Sequence, residues 1–593
     1  MDAGDRTCAG PTVLVDELAR SGIRHAVVAP GSRSAPLALA LGVHPALRVW
    51  SQIDERVAGF FALGLAKADR RAVAIACTSG SAAANLFPAV VEAFHAGVPL
   101  VVLTADRPPE LRDCGAPQTI DQVRLFGTHA RWFADVGPLG ADAASLRHAR
   151  TVACRAVAAA HGPPAGPVHL NLPLREPLVP SAPPGALPPA VHALAPTAAA
   201  GRGGMAWSRI ARPQLRPDER ALVAVADLLR STRRPLIVAG PLDDEDPRLP
   251  DAVASLAAAL GAPVLAEPAS NLRQTVLGEW LADAHDAVLR ARAFLDRSPP
   301  DAVVRIGALP TSKALAEWLA TQERIVQVLL DASGTWPDPA GVIGCVLRGD
   351  LATTCQALAA TLGPPRTDSA WRQRWLAAGK RARAALDAAL AAAPPFEAHA
   401  VLALARTLPP VARLYVGSSL AIRALDAFWP PDAPPVRVLA NRGANGIDGF
   451  VSSVLGAAAA GPETITAGLC GDLTFLHDFG GVLSVSRHGG HAVFLVLDNG
   501  GGGIFDHLPV AATGGRYEEL FVTPPAVDLG RLVTACGLAY FPVDTPDALP
   551  AALRRALHAE HATVVALRID RVASLAAHRS AVLAATTAVE GEA

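Results

Sequence analysis

The sequence lacks the features that would place the protein on a membrane, on a nucleic acid or in a disulfide-stabilised fold. It has 53 Lys and Arg against 54 Asp and Glu, and no block of like charge, so binding to a polyanion has no electrostatic basis. No window reaches the ~18 uninterrupted apolar residues of a membrane span, and no apolar signal core follows the N-terminus. The eight cysteines form no C-x-x-C pair, which predicts reduced thiols in a cytoplasmic protein.

What the sequence does have is length and a regular alternation of patterns. At roughly 100–200 residues per domain, 593 residues predict three or four domains. Short β-rich runs alternate with helical patterns in three segments, which is typical of parallel sheets with helices on both faces. We therefore predict an α/β fold of three domains, at residues 1–185, 216–369 and 395–575. Residues 186–215, rich in Pro, Ala and Gly, are predicted to be a linker or mobile loop.

The strongest chemical signal lies in the third segment, where two apolar runs each end in polar residues. The run 464–470 leads into Gly471-Asp472, and the run 492–497 leads into Asp498-Asn499 and four glycines. The stretch of chain between Asp472 and Asn499 is long enough for one helix and a return to the adjacent parallel strand. Asp472 and Asn499 are therefore expected at the carboxyl ends of strands, where open α/β sheets bind ligands.

This combination of groups suits Mg²⁺ bound to a diphosphate. A carboxylate, an amide oxygen and a backbone carbonyl are hard oxygen ligands, and Mg²⁺ completes its shell with phosphate oxygens and water. The glycines let the backbone approach a diphosphate closely. We therefore predict Asp472, Asn499 and Gly501 as metal ligands, although either motif alone would more often be an ordinary turn. No G-K-[ST] follows the glycines and no G-x-G-x-x-G opens the first segment, which argues against a P-loop or dinucleotide site.

A Gly-Asp and Asn element in the last domain resembles that of thiamine-diphosphate enzymes. The resemblance implies a glutamate in the first domain that hydrogen-bonds the aminopyrimidine ring of the cofactor. Glu55 follows an apolar run and opens a helix at the corresponding place. A carboxyl beside a ring nitrogen favours the imino tautomer, whose imine can then accept a proton. Without the third-segment motif, Glu55 would be an ordinary charge in the first turn of a helix.

Three longer motifs narrow the resemblance. They run from Ala29 (Ala-Pro-Gly-Ser-Arg-Ser), from Thr104 (Thr-Ala-Asp-Arg-Pro-Pro-Glu-Leu-Arg-Asp-Cys-Gly-Ala-Pro-Gln) and from Asn441 (Asn-Arg-Gly-Ala-Asn-Gly-Ile-Asp-Gly). They are similar to those of the menaquinone-pathway 2-succinyl-5-enolpyruvyl-6-hydroxy-3-cyclohexene-1-carboxylate synthases, over nearly the whole chain. The resemblance implies decarboxylation of 2-oxoglutarate and addition of the resulting carbanion to isochorismate. It also implies thiamine diphosphate and Mg²⁺ (or Mn²⁺) as cofactors and a homodimer or dimer of dimers.

The substrate pair accounts for the cations in these motifs, because both substrates carry carboxylates and a lone Arg would more often be a surface group. By the resemblance, isochorismate contacts Ser32, Arg33, Arg107, Gln118 and Lys313. The part derived from 2-oxoglutarate contacts Ser419, Arg423 and Arg442, and the pocket is lined by Phe505 and Leu508. Cofactor contacts come from Glu55, Ser419, Ile447, Asp472, Asn499, Gly501 and Ile504, with Ile447 supporting the bent cofactor.

Three features depart from the family pattern, and two alternatives stay open. The family often has Asn where this chain has Asp498, some members carry a second cation where it has Ala314, and the segment 198–212 is longer than usual. One alternative is a different thiamine-diphosphate decarboxylase or ligase, such as an acetohydroxyacid-synthase-like or benzoylformate-type enzyme, which would not need these cations. The other is a non-catalytic relative, which the joint presence of Glu55, Asp472 and Asn499 disfavours.

Overall fold

The computed structural model describes residues 2–244, 246–365 and 369–591 and contains three parallel sheets. Every strand pairing in these sheets is parallel. Parallel neighbours require crossover connections, and the connecting helices cover the faces of each sheet. The predicted α/β class, with three parallel sheets flanked by helices, is confirmed.

The first sheet has six strands in the order β2-β1-β3-β4-β6-β5. Its strands are β1 (His25–Ala29), β2 (Arg48–Ser51), β3 (Val73–Cys77), β4 (Leu100–Asp106), β5 (Trp132–Asp135) and β6 (Pro167–Pro173). The helices of this segment are α1 (Ala3–Arg20), α2 (Ala35–Val43), α3 (Glu55–Asp69), α4 (Ser81–Asn85), α5 (Phe87–Ala96), α6 (Ala143–His161), α7 (Pro189–Leu194) and α8 (Pro196–Ala200). The central strands β3, β4 and β6 are buried along their whole length, as expected for strands covered on both faces.

The second sheet has five strands in the order β11-β10-β9-β7-β8. Its strands are β7 (Pro235–Ala239), β8 (Val264–Ala266), β9 (Ala302–Ile306), β10 (Val326–Asp331) and β11 (Cys345–Arg348). The helices of this segment are α9 (Glu219–Arg230), α10 (Leu249–Leu260), α11 (His285–Val288), α12 (Arg292–Arg297), α13 (Lys313–Thr321), α14 (Leu351–Leu362) and α15 (Ala370–Ala391).

The third sheet repeats the strand order of the first, as β13-β12-β14-β15-β17-β16. Its strands are β12 (Arg413–Val416), β13 (Arg437–Ala440), β14 (Thr466–Gly471), β15 (Val493–Asp498), β16 (Ala539–Val543) and β17 (Thr563–Arg568). The helices are α16 (Glu397–Thr407), α17 (Leu420–Phe428), α18 (Phe450–Ala459), α19 (Asp472–His477), α20 (Leu483–His488), α21 (Leu529–Ala535), α22 (Leu549–Leu557) and α23 (Arg571–Glu590). In both sheets the strand order reverses beside the first strand, the position at which open α/β sheets bind ligands.

The described chain forms two compact units that do not follow sequence order. Unit 1 comprises the chain up to Pro213 with Asn441–Glu463 and His477–Gly490, and unit 2 comprises Gln214–Ala440, Thr464–Leu476 and the chain from His491. Within unit 1, α18 packs closely on α3: a Cβ on Gly64 would lie 1.9 Å from the Ser453 carbonyl oxygen. Two segments between strands of the third sheet are thus built into the unit that holds the first sheet. The predicted domain boundaries stay a prediction.

The segment 186–215 differs from the expected mobile loop over its first half. It contains α7 and α8, and Val191 and Ala198 are buried. The buried guanidinium of Arg150 donates to the carbonyl oxygens of Ala198 (2.6 Å) and Ala199 (2.9 Å) at the end of α8. These bonds satisfy carbonyl groups that a helix leaves without intrahelical partners, so this part is fixed on the core of unit 1.

One helix in the described ranges, α23, is long and apolar enough to cross a membrane by length and composition alone. One face of it, formed by Ala577, Ala581, Ala585 and Val589, is buried, and the helix packs on α15 within unit 2. Because a core helix of a soluble protein passes the same test, this helix is weak evidence for a membrane span.

Candidate active site

The polar ends of two adjacent strands form a small cluster in unit 2. Asp472 follows β14 directly, Asn499 follows β15, and the two strands pair in register. Oδ2 of Asp472 accepts a hydrogen bond from the backbone N–H of Gly501 (2.8 Å), and its Oδ1 accepts one from Leu473 (2.6 Å). The predicted return to the adjacent parallel strand therefore occurs, and it brings the carboxylate against the glycine loop.

The glycine loop adopts a conformation that side chains would not permit. Gly501 has φ +133°, and a Cβ there would lie 2.4 Å from the carbonyl oxygen of Val522. Its own carbonyl oxygen accepts from the N–H of Gly503 (2.8 Å), which leaves a second lone pair. The backbone of the loop therefore packs closely at Gly501, and it leaves backbone groups rather than a side chain to contact a ligand there.

The donor set fits a hard divalent cation. Asn499 Oδ1 is buried and, within the described ranges, has no hydrogen-bond partner, an arrangement that costs free energy unless a ligand satisfies it. Burial raises the pKa of Asp472 to about 6, opposed by its backbone hydrogen bonds, so a nearby cation would favour the ionised form. No group of three or more His, Cys, Asp or Glu suited to a metal occurs in the part of the chain that the structure describes. One carboxylate, one amide and one carbonyl are instead the oxygen ligands that Mg²⁺ accepts.

The start of α17 lies beside the glycine loop. A Cβ on Gly503 would lie 2.7 Å from Asn499 Nδ2 and 3.4 Å from Leu420 Cδ1. Ser419, the residue before the helix, has φ +72° and ψ −135°, a strained conformation for a non-glycine residue and one that recurs at ligand-binding sites. Its carbonyl oxygen accepts from Arg423 Nη1 (2.7 Å). A helix N-terminus beside this loop favours an anion such as a diphosphate.

Three further predicted residues of unit 2 differ in their surroundings. Phe505 lies in a 3₁₀ turn after the glycines and contacts Phe521, with ring centroids 5.5 Å apart. Leu508, just after that turn, is exposed. Lys313 opens α13 beyond β9 of the second sheet; it is 72% exposed and pairs with Glu317, an arrangement typical of a solvated helix surface.

Unit 1 gathers a second set of polar groups at the carboxyl ends of β1, β3 and β4. Arg33 donates to the carbonyl oxygen of Leu174 (2.8 Å) and to Glu176 (3.0 Å). Its Nε is buried and has no hydrogen-bond partner among the residues described. Arg107 lies close enough that burial and the charge of Arg33 lower its pKa. Two guanidinium groups that are largely shielded from solvent at the carboxyl ends of these strands favour the binding of a carboxylate.

Ser79 links two of the predicted acceptor residues, and the sequence reasoning missed it. Its hydroxyl accepts from Arg107 Nη1 (2.6 Å) and donates to the carbonyl oxygen of Gln118 (3.0 Å), while Gln118 Nε2 donates to the Ser79 carbonyl oxygen (3.1 Å). The available signal was the polar run 78–81 directly after an apolar strand, the same pattern that identified Asp472. Ser32 follows β1 at the same edge of this sheet.

Glu55 is the first residue of α3, and the loop before it is held firmly. Asp54 caps the helix by accepting from the Arg56 N–H (2.8 Å). Gln52 accepts from Ser484 Oγ (2.7 Å), and the Ser51 carbonyl oxygen accepts from a ring nitrogen of His488 (2.6 Å). Glu55 itself is half-buried. Its position is therefore set by residues that lie between β14 and β15 in sequence but belong to unit 1.

The predicted residues fall into the two units as follows. Arg442 and Ile447, expected beside the diphosphate site of the third segment, lie in a loop that is built into unit 1. Unit 1 holds Ser32, Arg33, Glu55, Arg107, Gln118, Arg442 and Ile447. Unit 2 holds Lys313, Ser419, Arg423, Asp472, Asn499, Gly501, Ile504, Phe505 and Leu508.

Comparisons with known proteins identify two thiamine-pyrophosphate-binding domains in the chain. Residues 9–125 match the family model "Thiamine pyrophosphate enzyme, N-terminal TPP binding domain", and residues 428–567 match "Thiamine pyrophosphate enzyme, C-terminal TPP binding domain". Three relatives carry the name 2-succinyl-5-enolpyruvyl-6-hydroxy-3-cyclohexene-1-carboxylate synthase. The one from Geobacillus kaustophilus is 46% identical over 88% of each chain. That from Myxococcus xanthus is 44% identical over 95% of each chain, and that from Halobacterium salinarum 40% identical over 97% of each.

The chain belongs to this synthase family. The resemblance found in the three sequence motifs is thereby confirmed, as are the thiamine-diphosphate-binding domains. The two matched domains contain the first and third sheets in large part, and with them Glu55 and Asp472. Within the synthase family, this chain is an enzyme of the carbon–carbon bond-forming, thiamine-diphosphate-dependent type.

One departure from the synthase pattern can be described in structural terms. Asp498 ends β15, and its carbonyl oxygen accepts from the Ile569 N–H (2.9 Å). Burial raises the pKa of its carboxyl, opposed by the charge of Arg568 on the neighbouring strand. Asn499, rather than Asp498, contacts the position of Gly503 in the glycine loop. The assignment of Asn499 as the ligand and Asp498 as its neighbour stays a prediction.

Proposed function

We propose that the protein decarboxylates 2-oxoglutarate and joins the remaining four-carbon unit to isochorismate, giving 2-succinyl-5-enolpyruvyl-6-hydroxy-3-cyclohexene-1-carboxylate and CO₂. The relatives carry the name of that product. The observation that carries the proposal is the buried, unsatisfied Oδ1 of Asn499 beside the Asp472–Gly501 contact, within the described ranges. In this proposal, a diphosphate-bound cation contacts Asn499 Oδ1 and the Asp472 carboxylate at the same time.

In this proposal Asp472, Asn499 and the Gly501 carbonyl hold Mg²⁺, or Mn²⁺ in its place, and the start of α17 faces the diphosphate. Ile447 and Ile504 contact the body of the cofactor. When bound, thiamine diphosphate supplies the nucleophilic carbon and the electron sink for decarboxylation. The carboxyl of Glu55 hydrogen-bonds the aminopyrimidine and sets its tautomer, which is a positioned acid–base role. The N-cap of α3 supports this role, because it fixes the backbone position from which the Glu55 side chain extends.

The two substrates are held by two groups of cations. Arg423 and Arg442, with Ser419, bind the carboxylate of the donor, while Phe505 and Leu508 contact its chain. Arg33 and Arg107, with Ser32, Gln118 and Lys313, bind the acceptor. The contacts of Arg107 and Gln118 with Ser79 support this grouping, because the Ser79 hydroxyl accepts from the Arg107 guanidinium and the Ser79 carbonyl oxygen accepts from the Gln118 side chain.

We also propose a cytoplasmic homodimer or dimer of dimers. The eight cysteines are free thiols, which supports a reducing compartment. In the thiamine-diphosphate enzymes that the chain resembles, the glutamate and the metal site of one active site come from different subunits, which supports a dimer with a two-fold axis.

The test is a coupled assay with purified protein, thiamine diphosphate, Mg²⁺, 2-oxoglutarate and isochorismate. The expected result is product formation that requires both substrates, thiamine diphosphate and Mg²⁺. Release of CO₂ from 2-oxoglutarate without consumption of isochorismate would leave only the broader decarboxylase function. Extraction of flavin from the purified protein would point to a different branch of thiamine-diphosphate enzymes.

A further inference from the structure

The loop that carries Arg442 is held by a buried carboxylate from another part of the chain. Glu92 lies on α5, and its side chain is 4% exposed. Its Oε1 accepts from the backbone N–H of Gly443 (2.9 Å) and its Oε2 from that of Ala444 (2.6 Å). Hydrogen bonds to an ionised acceptor are roughly twice as strong as neutral ones. The two residues that follow Arg442 are thus fixed by one side chain.

Glu92 is itself paired with a buried cation. Lys67, near the end of α3, is 8% exposed, and its Nζ lies 3.7 Å from Oε1 of Glu92. A buried carboxylate is costly unless it is paired and hydrogen-bonded, and Glu92 meets both conditions. A buried ion pair adds little net stability over apolar residues of the same size. We therefore expect the Lys67–Glu92 pair to act mainly by selecting one conformation of the loop that carries Arg442.

The residue before Arg442 forms the second anchor of the loop. Asn441 Nδ2 donates to Ser453 Oγ (3.2 Å), which in turn donates to the carbonyl oxygen of Phe60 on α3 (3.2 Å). The loop also lies directly against α5, because a Cβ on Gly443 would be 2.5 Å from the Glu92 carbonyl oxygen. Arg442 therefore lies between two anchored positions, Asn441 before it and Gly443 after it, and both lie in unit 1.

We propose that Glu92, supported by Lys67, is a positioning residue that orients Arg442 toward the carboxylate of the donor 2-oxo acid. The inference rests on the proposed function, in which Arg442 binds 2-oxoglutarate. Glu92 reaches the substrate only through the loop and makes no contact with it. Its loss therefore weakens donor binding while leaving the acceptor site and the metal site unaffected.

Glu92→Gln in the full-length holoenzyme tests this, because Gln keeps the volume but offers one acceptor oxygen to two N–H groups. The KM for 2-oxoglutarate is expected to rise about tenfold, the effect of misaligning one charge-assisted hydrogen bond. The KM for isochorismate is expected to stay within about twofold of wild type, because Glu92 shares no contact with the residues proposed to bind the acceptor. In an Arg442→Ala background, Glu92→Gln is expected to add no further increase, because it acts through that side chain.

Two variants complete the design. Asn441→Ala loosens the other anchor and is expected to give the same donor-specific signature, so it decides the question if Glu92→Gln does not fold. Glu17→Gln is the matched control, because Glu17 is also a buried carboxylate in unit 1 that is paired with a cation, Arg150, and accepts from a backbone N–H, that of Trp207. It is expected to lower the melting temperature without changing either KM.

Equal changes in both KM values, or an effect of Glu92→Gln that persists in full without Arg442, would overturn the positioning role. Wild-type protein that does not consume 2-oxoglutarate would instead refute the proposed function, and this inference with it. Donor turnover by wild type combined with unchanged kinetics of Glu92→Gln would refute this inference alone.

Discussion

The backbone N–H of Gly501 donates to Oδ2 of Asp472 over 2.8 Å, and this bond joins the ends of two adjacent strands. It orients the carboxylate and fixes a glycine loop in which a Cβ on Gly501 would lie 2.4 Å from the carbonyl oxygen of Val522. The unsatisfied oxygen of Asn499 lies at the same strand ends. These contacts orient the oxygen atoms of the proposed cation site, and this arrangement gives the first prediction.

Asp472→Ala is expected to abolish Mg²⁺-dependent binding of thiamine diphosphate, because the diphosphate would face the loop without its cation. Calorimetric titration of the cofactor with and without Mg²⁺ measures this. Asp498→Asn is the matched control, since it removes a half-buried carboxyl at the end of the neighbouring strand β15 and leaves the proposed ligands in place. Tight binding to Asp472→Ala, or equal losses in both variants, would contradict the assignment.

Glu55→Gln is expected to bind the cofactor but to slow exchange of the thiazolium proton by about 10²–10⁴-fold, the usual effect of a positioned acid–base group. Exchange is measured by NMR in deuterated buffer. Asp54→Asn is the control, because asparagine also caps helices and the neighbouring charge alone is removed. Unchanged exchange in Glu55→Gln would exclude Glu55 from this role.

The two half-reactions are expected to separate between Arg423→Ala and Arg33→Ala. Loss of a charge-assisted hydrogen bond costs about 1.5–3 kcal/mol, or one to two decades in binding. Arg423→Ala should depress both decarboxylation and product formation. Arg33→Ala should retain decarboxylation but release succinic semialdehyde in place of coupled product. Product partitioning at saturating 2-oxoglutarate and varied isochorismate measures the difference.

Arg33 also donates to the Leu174 carbonyl oxygen and to Glu176, so its replacement can act through stability as well. Glu176→Gln weakens one of these contacts without removing the guanidinium and serves as the control. If Arg33→Ala and Arg423→Ala lose both half-reactions in proportion, the division of the site is wrong and Arg33 is structural.

We expect the folded protein to become less stable as the pH rises, because of the buried carboxyl of Asp478. Burial raises the pKa of this carboxyl from 3.8 to about 7, with contributions from the charges of Asp448 and Asp54, while hydrogen bonds from Ser452 oppose the shift. The unfolded chain releases this proton near pH 4 and the folded chain near pH 7. The stabilisation is therefore fully present below about pH 4 and is lost as pH rises to about 7.

Asp478→Asn keeps an acceptor for the Ser452 N–H and an amide that can donate to its hydroxyl, but it cannot ionise. Its melting temperature is expected to rise relative to wild type between pH 5 and pH 8, by on the order of 1–3 °C. Thermal denaturation at both pH values, with the exposed Asp547→Asn as control, measures this. A constant difference between variant and wild type at the two pH values would show that Asp478 stays ionised in the folded protein.

Mixing two inactive variants tests the assembly. If Glu55 of one subunit and Asp472 of the other form each site, a heterodimer of Glu55→Gln and Asp472→Ala has one intact site. Random exchange of subunits should then restore about one quarter of wild-type activity. No recovery after verified exchange would place both residues of a site in the same subunit, and an active monomer in light scattering would exclude an obligate dimer.

The α/β class, the family and a proposed position for the diphosphate site could all be predicted from the sequence alone. These features are local in the chain, because an apolar run followed at once by a polar residue marks the carboxyl end of a strand. Asp472 and Asn499 could be found in this way, whereas Glu55 was identified through the family resemblance. The same rule applied to the run 78–81 would have found Ser79.

Which of these groups come into contact depends on the tertiary structure. The loop 441–449 and the residues 477–490 follow strands of the third sheet in sequence, yet they are built into unit 1. Glu92 meets Gly443 across 351 positions of the chain, and Ser484 meets Gln52 across 432. Local periodicity carries no information about such contacts, because they depend on close approach of backbones at glycines and on burial of polar groups that must find partners.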